Sequence, residues 1–260
     1  MSAIDRARAR AGVIVPDRAD GQPVRLLHTS DCHLGNFILD GDKEQAAFAA
    51  LIEAALVIRP AVLVVAGDLY DHNRVSEDVI AWTLEQMSRL DCPIIVLPGN
   101  HDHDVVFRLA AAAGLARRPR ITIITDPDGE IVELPEVGLT LWGRAHVDHT
   151  PDFRPLHGIP ARPDNGWCVA LGHGLTVDSQ NSGGRGSPIY PADIEALGWD
   201  YVALGHVHAF RVIRDLPAPP VVYSGATASS RGGEPGAVLV EFHPATGVSF
   251  QAIDLTHYPA

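Results

Sequence analysis

Cysteine is scarce in this chain. The three present, Cys32, Cys92 and Cys168, are an odd number without paired spacing. That argues against a disulfide framework and for a reducing compartment, so a cytoplasmic location is expected. Cys92 and Cys168 adjoin or sit in apolar runs and read as core residues. Long apolar runs are missing too. No stretch approaches the roughly 18 apolar residues of a membrane span. Residues 1–23 are rich in Arg, Ala and Asp and lack the apolar centre of a signal peptide, so they read as a loosely attached arm ahead of a larger unit over 24–260. Basic residues are outnumbered, 20 Lys and Arg against 32 Asp and Glu, leaving a formal net charge of −12. That charge counts against long, high-affinity contact with nucleic acid, which depends on Lys and Arg.

A hydrophobic content of 46% over 260 residues supplies a packed core for one large domain or two small ones. Val24–Thr29 reads as a buried strand, Lys43–Ile58 as a helix stopped by Pro60, and Ala61–Ala66 as a continuous apolar strand. Ser76–Leu90 is a second amphipathic helix with a cap-like Ser–Glu–Asp start, and Pro93–Leu97 a third strand. Continuous apolar strands separated by helices imply a parallel sheet covered on both faces. Eight short strands follow: Ile121–Thr125, Ile131–Leu134, Thr140–Gly143, Trp167–Gly172, Tyr201–Gly205, Val221–Ser224, Ala237–Phe242 and Val248–Ile253. The helices among them are Arg108–Ala116 and Pro191–Leu197. Two packed sheets flanked by helices fit this rhythm better than one sheet. Asp126-Pro127-Asp128-Gly129 is a turn, and Gly183–Gly186 and Gly232–Gly236 are Gly-rich loops.

Five polar motifs close or follow these apolar runs: Asp31-Cys32-His33, Gly67-Asp68, Gly99-Asn100-His101-Asp102, Gly172-His173 and Gly205-His206-Val207-His208. Ligands of parallel α/β sheets bind at the carboxyl ends of the strands, where every one of these motifs falls. The intervals from His33 to Asp68 and from Asp68 to Asn100 each match a βαβ repeat of about 30 residues, which brings Asp31, Asp68 and Asn100 side by side. Residues i and i+2 of an extended segment share a face. Asp31 and His33 are therefore expected to face the cleft together, with Cys32 turned inward, and His206 and His208 to do the same. The set offers Asp, Asn and His ligands for two divalent cations, with Asp68 as a small bridging carboxylate. Mixed N and O donors suit Mn²⁺, Fe or Zn²⁺ better than Ca²⁺. Such a centre makes a hydroxide at neutral pH and clamps a phosphoryl group; two cations would also offset about four of the protein's charges locally. His101 adjoins a ligand but points past the metals, where it can donate to phosphoryl oxygens or protonate a leaving alkoxide. Asp102 can hold its ring. Each motif alone is weak; five in order, all at strand ends, are not.

The other candidates have bland readings. His28 reads as a hydrogen-bonded core residue, and His72 and His103 as neighbours of the cleft. His146 and His149 fall in a loop where exposure is expected, and His157, His243 and His257 read as structural or exposed. Arg144 is expected in an ion pair, and Ser182–Ser187 as a flexible connection.

With these residues in view, the chain resembles calcineurin-like metallophosphoesterases from about Val24 to Asp254. The resemblance implies a four-layer α/β/β/α sandwich and a catalytic domain over 24–260. It implies one metal on Asp31, His33, Asp68 and His208, a second on Asp68, Asn100, His173 and His206, and His101 as the catalytic histidine. The strings Leu27-His28-Thr29-Ser30-Asp31-Cys32-His33-Leu34-Gly35, Gly67-Asp68-Leu69-Tyr70-Asp71, Ala203-Leu204-Gly205-His206-Val207-His208 and Tyr223-Ser224-Gly225 are similar to the DNA-repair exonuclease branch of the SbcD type. Position 32, usually aromatic there, is Cys. The chain stops soon after the catalytic region, so no capping domain and no segment docking an ATPase partner are expected. The function expected is hydrolysis of a phosphodiester, a nucleotide or nucleic-acid end, by in-line attack of a metal-bridging hydroxide. A phosphomonoesterase such as a protein phosphatase has the same motifs. A non-catalytic scaffold usually loses ligands, which this chain retains.

Overall fold

Uninterrupted apolar strands need apolar neighbours on both faces, and the chain supplies them with three cores. The computed structural model describes residues 22–36, 42–115, 120–147, 153–164, 166–177, 186–195, 197–228, 234 and 236–258. The expected arm up to residue 21, His149, and residues 182–185 and 232–233 of the Gly-rich loops lie outside them. Strands β1 (Val24–Thr29), β2 (Val62–Ala66), β3 (Ile94–Leu97) and β4 (Ile121–Ile123) alternate with helices α1 (Asp42–Ile58), α2 (Glu77–Met87) and α3 (Val105–Leu115). Then come β5 (Glu130–Leu134), β6 (Leu139–Gly143), β7 (Trp167–His173), β8 (Leu175–Thr176), β9 (Pro188–Ile189), α4 (Pro191–Glu195) and β10 (Tyr201–Gly205). β11 (Arg211–Arg214), β12 (Val221–Tyr223), β13 (Ala237–His243) and β14 (Gly247–Ile253) complete the strands.

Two six-stranded sheets result, in the orders β14-β13-β1-β2-β3-β4 and β11-β12-β10-β7-β6-β5. β1 to β4 are parallel, as are β6, β7, β10 and β12. β13 and β14 are antiparallel additions to the first sheet, and β5 and β11 are antiparallel edges of the second. Alternate residues of each strand serve different cores, because side chains alternate across a sheet. Leu27, Leu63 and Val65 face the helices with Phe48, Leu51, Ile80 and Leu109. Leu26, Val62 and Val64 face the other sheet, meeting Leu141, Val169, Leu171 and Ala203. On the far side Trp142, Ala170, Val202 and Leu204 pack against Ile194, Leu197 and Trp199 around α4. The layers are therefore helices, sheet, sheet and helix, the four-layer sandwich expected, with a thin fourth layer. Each such aliphatic burial contributes about 1.5–3 kcal/mol.

Differences from the sequence reading are local. α3 starts at Val105, three residues before the expected Arg108, because Asp102 already accepts the Val106 N–H at 3.2 Å. Strands β8, β9 and β11 are additional. β8 and β9 are two residues each, and β11 is a mostly exposed edge.

Candidate metal centre

The carboxyl ends of β1, β2, β3, β7 and β10 meet at one edge of the seam between the sheets. Asp31 and His33 follow β1, Asp68 follows β2, and Asn100 and His101 follow β3. His173 ends β7, and His206 and His208 follow β10. The expected extended i, i+2 arrangement is corrected here. Asp31, His33, Asp68 and His206 all have left-handed backbones, with φ of 53°, 49°, 53° and 94°. Alternation cannot aim their side chains; the neighbouring loop does. The Asp31 N–H donates to Gly67 at 3.0 Å and the His33 N–H to Asp68 at 3.1 Å. Cys32 is nonetheless buried, as expected. Non-glycine residues in this region cost about 1–3 kcal/mol each and gather where function requires them. The motif glycines follow from the same crowding. A Cβ on Gly67 would overlap the His173 ring, and one on Gly99 would overlap the Asp68 carboxylate.

Three groups of donor atoms converge, two built from the expected ligands and one from His33, Asp71 and His101. In the first, His33 Nε2 lies 3.1 Å from His208 Nε2, and Asp31 Oδ1 lies 4.0 and 3.6 Å from those two nitrogens. In the second, His173 Nε2 lies 3.1 Å from Asp68 Oδ2 and 3.2 Å from Asn100 Oδ1. His206 Nδ1 lies 3.0 Å from the same Asn100 oxygen. All seven residues expected as ligands are thus gathered, and His206 and His208 part to different groups. Around them, the His173 Nδ1–H donates to the Ala66 carbonyl at 2.9 Å, turning Nε2 to the centre. Asp31 accepts from the Ser30 hydroxyl and from the His206 N–H at 3.0 Å, and Ser30 Oγ meets Ser224 Oγ at 2.9 Å.

The electrostatics fit a cation. Burial opposes charge on both Asp68 and His173, yet their attraction prevails. Asp68 is held well below the usual carboxylate range, and His173 is pushed up to about 10. Burial lowers the proton affinity of His33 and, with help from the His173 charge, that of His206, leaving lone pairs available. Ligand atoms of one cation with bonds of about 2.0–2.2 Å stand ~3 Å apart, as several of these pairs do. The donor set and its hydrogen-bonded supports therefore suit divalent metals.

Asp102 does not take the place expected of it. Its carboxylate is buried and accepts the N–H groups of Gly99 at 2.8 Å and Tyr70 at 3.1 Å. The His101 ring is held instead through Nδ1 by the Asp71 carbonyl at 2.7 Å. The Asp71 carboxylate lies 3.1 Å from His33 Nδ1, so Asp71 supports two of the site's histidines. Chemistry at a strand end did not reveal Asp71; its signals are its place three residues after Asp68 and its closing of the string Gly67-Asp68-Leu69-Tyr70-Asp71. His146, expected to be exposed, is buried, with Nε2 2.6 Å from Ser187 Oγ. Arg144 donates to the Pro127 and Arg154 carbonyls and stacks over Phe153, and among the described residues it joins no ion pair. His28 is a buried core residue at 3.1 Å from the Tyr201 hydroxyl, as expected.

Sandwich and site define a metallophosphoesterase. Residues 24–210 match the sequence profile of the calcineurin-like phosphoesterases, and the chain belongs to that family, whose members use divalent metals. Among curated proteins it is similar to the SbcD component of the SbcCD nuclease of Escherichia coli K12, with 28% identity over 236 residues. That match covers 73% of this chain and 57% of the relative, so the chain spans little more than half of the relative's length. Among solved structures it is similar to a dimetal phosphatase from Danio rerio, 12% identical, with a TM-score of 0.51. The similarity covers 89% of this chain and 100% of the other, and it is a likeness of fold. No helix among the described residues is long and apolar enough to cross a membrane.

Proposed function

We propose that this protein hydrolyses phosphodiesters, in the manner of an exonuclease, at a centre of two divalent cations, Mn²⁺ foremost with Fe or Zn²⁺ as alternatives. Asp31, His33 and His208 would hold one cation, and Asn100, His173 and His206 the other, with Asp68 shared. When bound, such cations supply a nucleophile from water at neutral pH and neutralise charge on the phosphoryl oxygens. His101 serves the leaving group. With Nδ1–H fixed on the Asp71 carbonyl, Nε2 is the ring atom that can give a proton to the departing alkoxide. The two donor groups with His101 at their rim carry this reading.

Charge favours a diester over a monoester. A monoester brings a dianion, which guanidinium groups recognise best. The cleft beside the donor groups, about 570 Å³, has one such group among its described lining residues, Arg211, against Asp31, Asp71, Glu44 and Glu234. A singly charged diester suits that wall better, and the volume leaves room for an alcohol on either side. The nuclease named as a relative adds support for a nucleotide end as substrate. Three unpaired thiols fit a cytoplasmic, reducing setting.

The test uses Mn²⁺-loaded protein on bis(p-nitrophenyl) phosphate, p-nitrophenyl phosphate and end-labelled linear duplex DNA, with Asp68→Asn as the blank. Faster cleavage of the diester than of the monoester, with short nucleotides released from DNA, is expected. A preference for the monoester would overturn the reading.

A further inference from the structure

The string Tyr223-Ser224-Gly225 supplies none of the seven residues gathered at the centre, yet hydrogen bonds tie it to the segments that carry them. Ser224 directly follows β12 in the second sheet and is fully buried. Ser30 directly follows β1 in the first sheet and is fully buried too. Their hydroxyl oxygens meet across the seam at 2.9 Å. Two residues further on, Ala226 forms an isolated parallel bridge with Ser30, and its N–H donates to the His208 carbonyl at 3.1 Å.

The direction of the hydrogen bonds follows from what each group can do. A carboxylate accepts and cannot give. Ser30 therefore gives its one hydroxyl hydrogen to Asp31 Oδ2. Its oxygen is left as an acceptor, and the Ser224 hydroxyl is the donor that faces it. The Gly225 carbonyl, 3.1 Å from Ser224 Oγ, is a second acceptor for the same hydrogen. Were that hydrogen turned wholly to Gly225, two hydroxyl oxygens would confront each other in a buried place with no hydrogen between them, which is costly.

This chain of bonds distinguishes the two oxygens of Asp31. Oδ2 accepts from Ser30 and from the His206 N–H at 3.0 Å. Oδ1 takes the longer share of that N–H, at 3.2 Å, and lies 3.6 Å from His208 Nε2 and 4.0 Å from His33 Nε2. One oxygen is anchored; the other is turned to the first donor group. Hydrogen bonds in series strengthen one another where water is excluded, so the bond from Ser224 tightens the grip of Ser30.

Resting on the two-cation reading, we propose that Ser224 is a positioning residue for metal binding. Acting through Ser30, its hydroxyl holds Asp31 as a one-oxygen ligand, with Oδ1 toward the cation of His33 and His208. The ligand set comes from five strand ends, and Ser224 makes a sixth, β12, part of the same centre. Groups that orient a ligand in this way typically alter metal affinity by about 10- to 100-fold.

The experiment titrates metal-free protein with Mn²⁺ and reads free Mn²⁺ by electron paramagnetic resonance. It compares wild type, Ser224→Ala, Ser30→Ala and the variant carrying both changes. Wild type should bind two Mn²⁺ per chain. Ser224→Ala should weaken one of them by roughly 10-fold and leave the other within about 2-fold. Ser30→Ala should weaken the same cation by roughly 10- to 100-fold. The double variant should match Ser30→Ala, because residues that act in series do not add. A hydroxyl that only supports the fold would weaken both cations alike, or add its loss to that of Ser30. Either result overturns the proposal. Two Mn²⁺ held as tightly by Ser224→Ala as by wild type overturn it alone and leave the two-cation reading standing. Fewer than two Mn²⁺ on wild type overturn that reading, and the role of Ser224 with it.

Discussion

Two buried histidines in this protein hold opposite charge states for opposite reasons. Between the sheets, His28 meets a tyrosine hydroxyl rather than a carboxylate, and burial lowers its pKa from 6.5 to about 3. At the centre, burial also works against charge on His173, but Asp68 raises it to about 10. His28 gives a signed prediction. Between pH 6.5 and about 3 the unfolded chain binds a proton that the folded chain refuses. Stability is therefore complete above the unfolded pKa and falls as the solution is acidified, with a slope approaching ~1.4 kcal/mol per pH unit from this group. Chemical denaturation across that range should show a shallower slope for His28→Gln than for wild type. At the centre, Asp68→Asn should lose bound metal by elemental analysis and lose activity with it. His101→Ala should keep its metal and slow turnover by roughly 10²- to 10⁴-fold; full activity of the loaded variant would remove His101 from the reaction. The residues gathered at the centre were legible in the sequence because Asp, Asn and His stand at strand ends. The direction of a side chain was not. Asp102 turns to two backbone N–H groups, and Asp71, which supports His33 and His101, was marked only as the end of the string from Gly67.

At the scale of elements, apolar continuity made most strands and the first two helices legible, because a strand buried on both faces has no polar positions to confuse it. β11 was not legible, since Arg-Val-Ile-Arg at an exposed edge offers neither alternation nor continuity. β8 and β9 were not either, because two residues hold no period. The cap of α2 was visible as Ser76, whose hydroxyl accepts the Val79 N–H at 3.3 Å. Ser76→Ala should cost about 1 kcal/mol in urea unfolding without changing turnover. The loop after β2 is less forgiving. Gly67 has φ of 94° and lies against His173. Gly67→Ala should cost about 1–3 kcal/mol from backbone strain, plus the displacement of His173, read as a lower denaturation midpoint and less than full metal occupancy.

At the scale of the whole molecule, an excess of negative charge surrounds a cleft meant for an anion. Arg211, exposed and the one Lys or Arg among the described lining residues, offsets it locally. Arg211→Glu should raise KM for a diester in low salt, and rising ionic strength should narrow the gap from wild type, because screening weakens both attraction and repulsion. The arrangement of layers has a mechanical side as well. The two groups built from the expected ligands draw on both sheets, Asp31 and His33 with His208, and Asp68 and Asn100 with His173 and His206. The hydrogen bond from His173 to Ala66 spans the same divide. The centre therefore works as a vernier on the packing between the sheets. A slip of a few tenths of an ångström, too small to disturb either sheet's own ladder, would spoil the alignment of ligands drawn from opposite sides. Catalysis should fail early in a denaturant titration, while the circular dichroism of both sheets still reads as native. Truncating Val64 or Leu171, which touch no ligand, should detune the enzyme from within its own core.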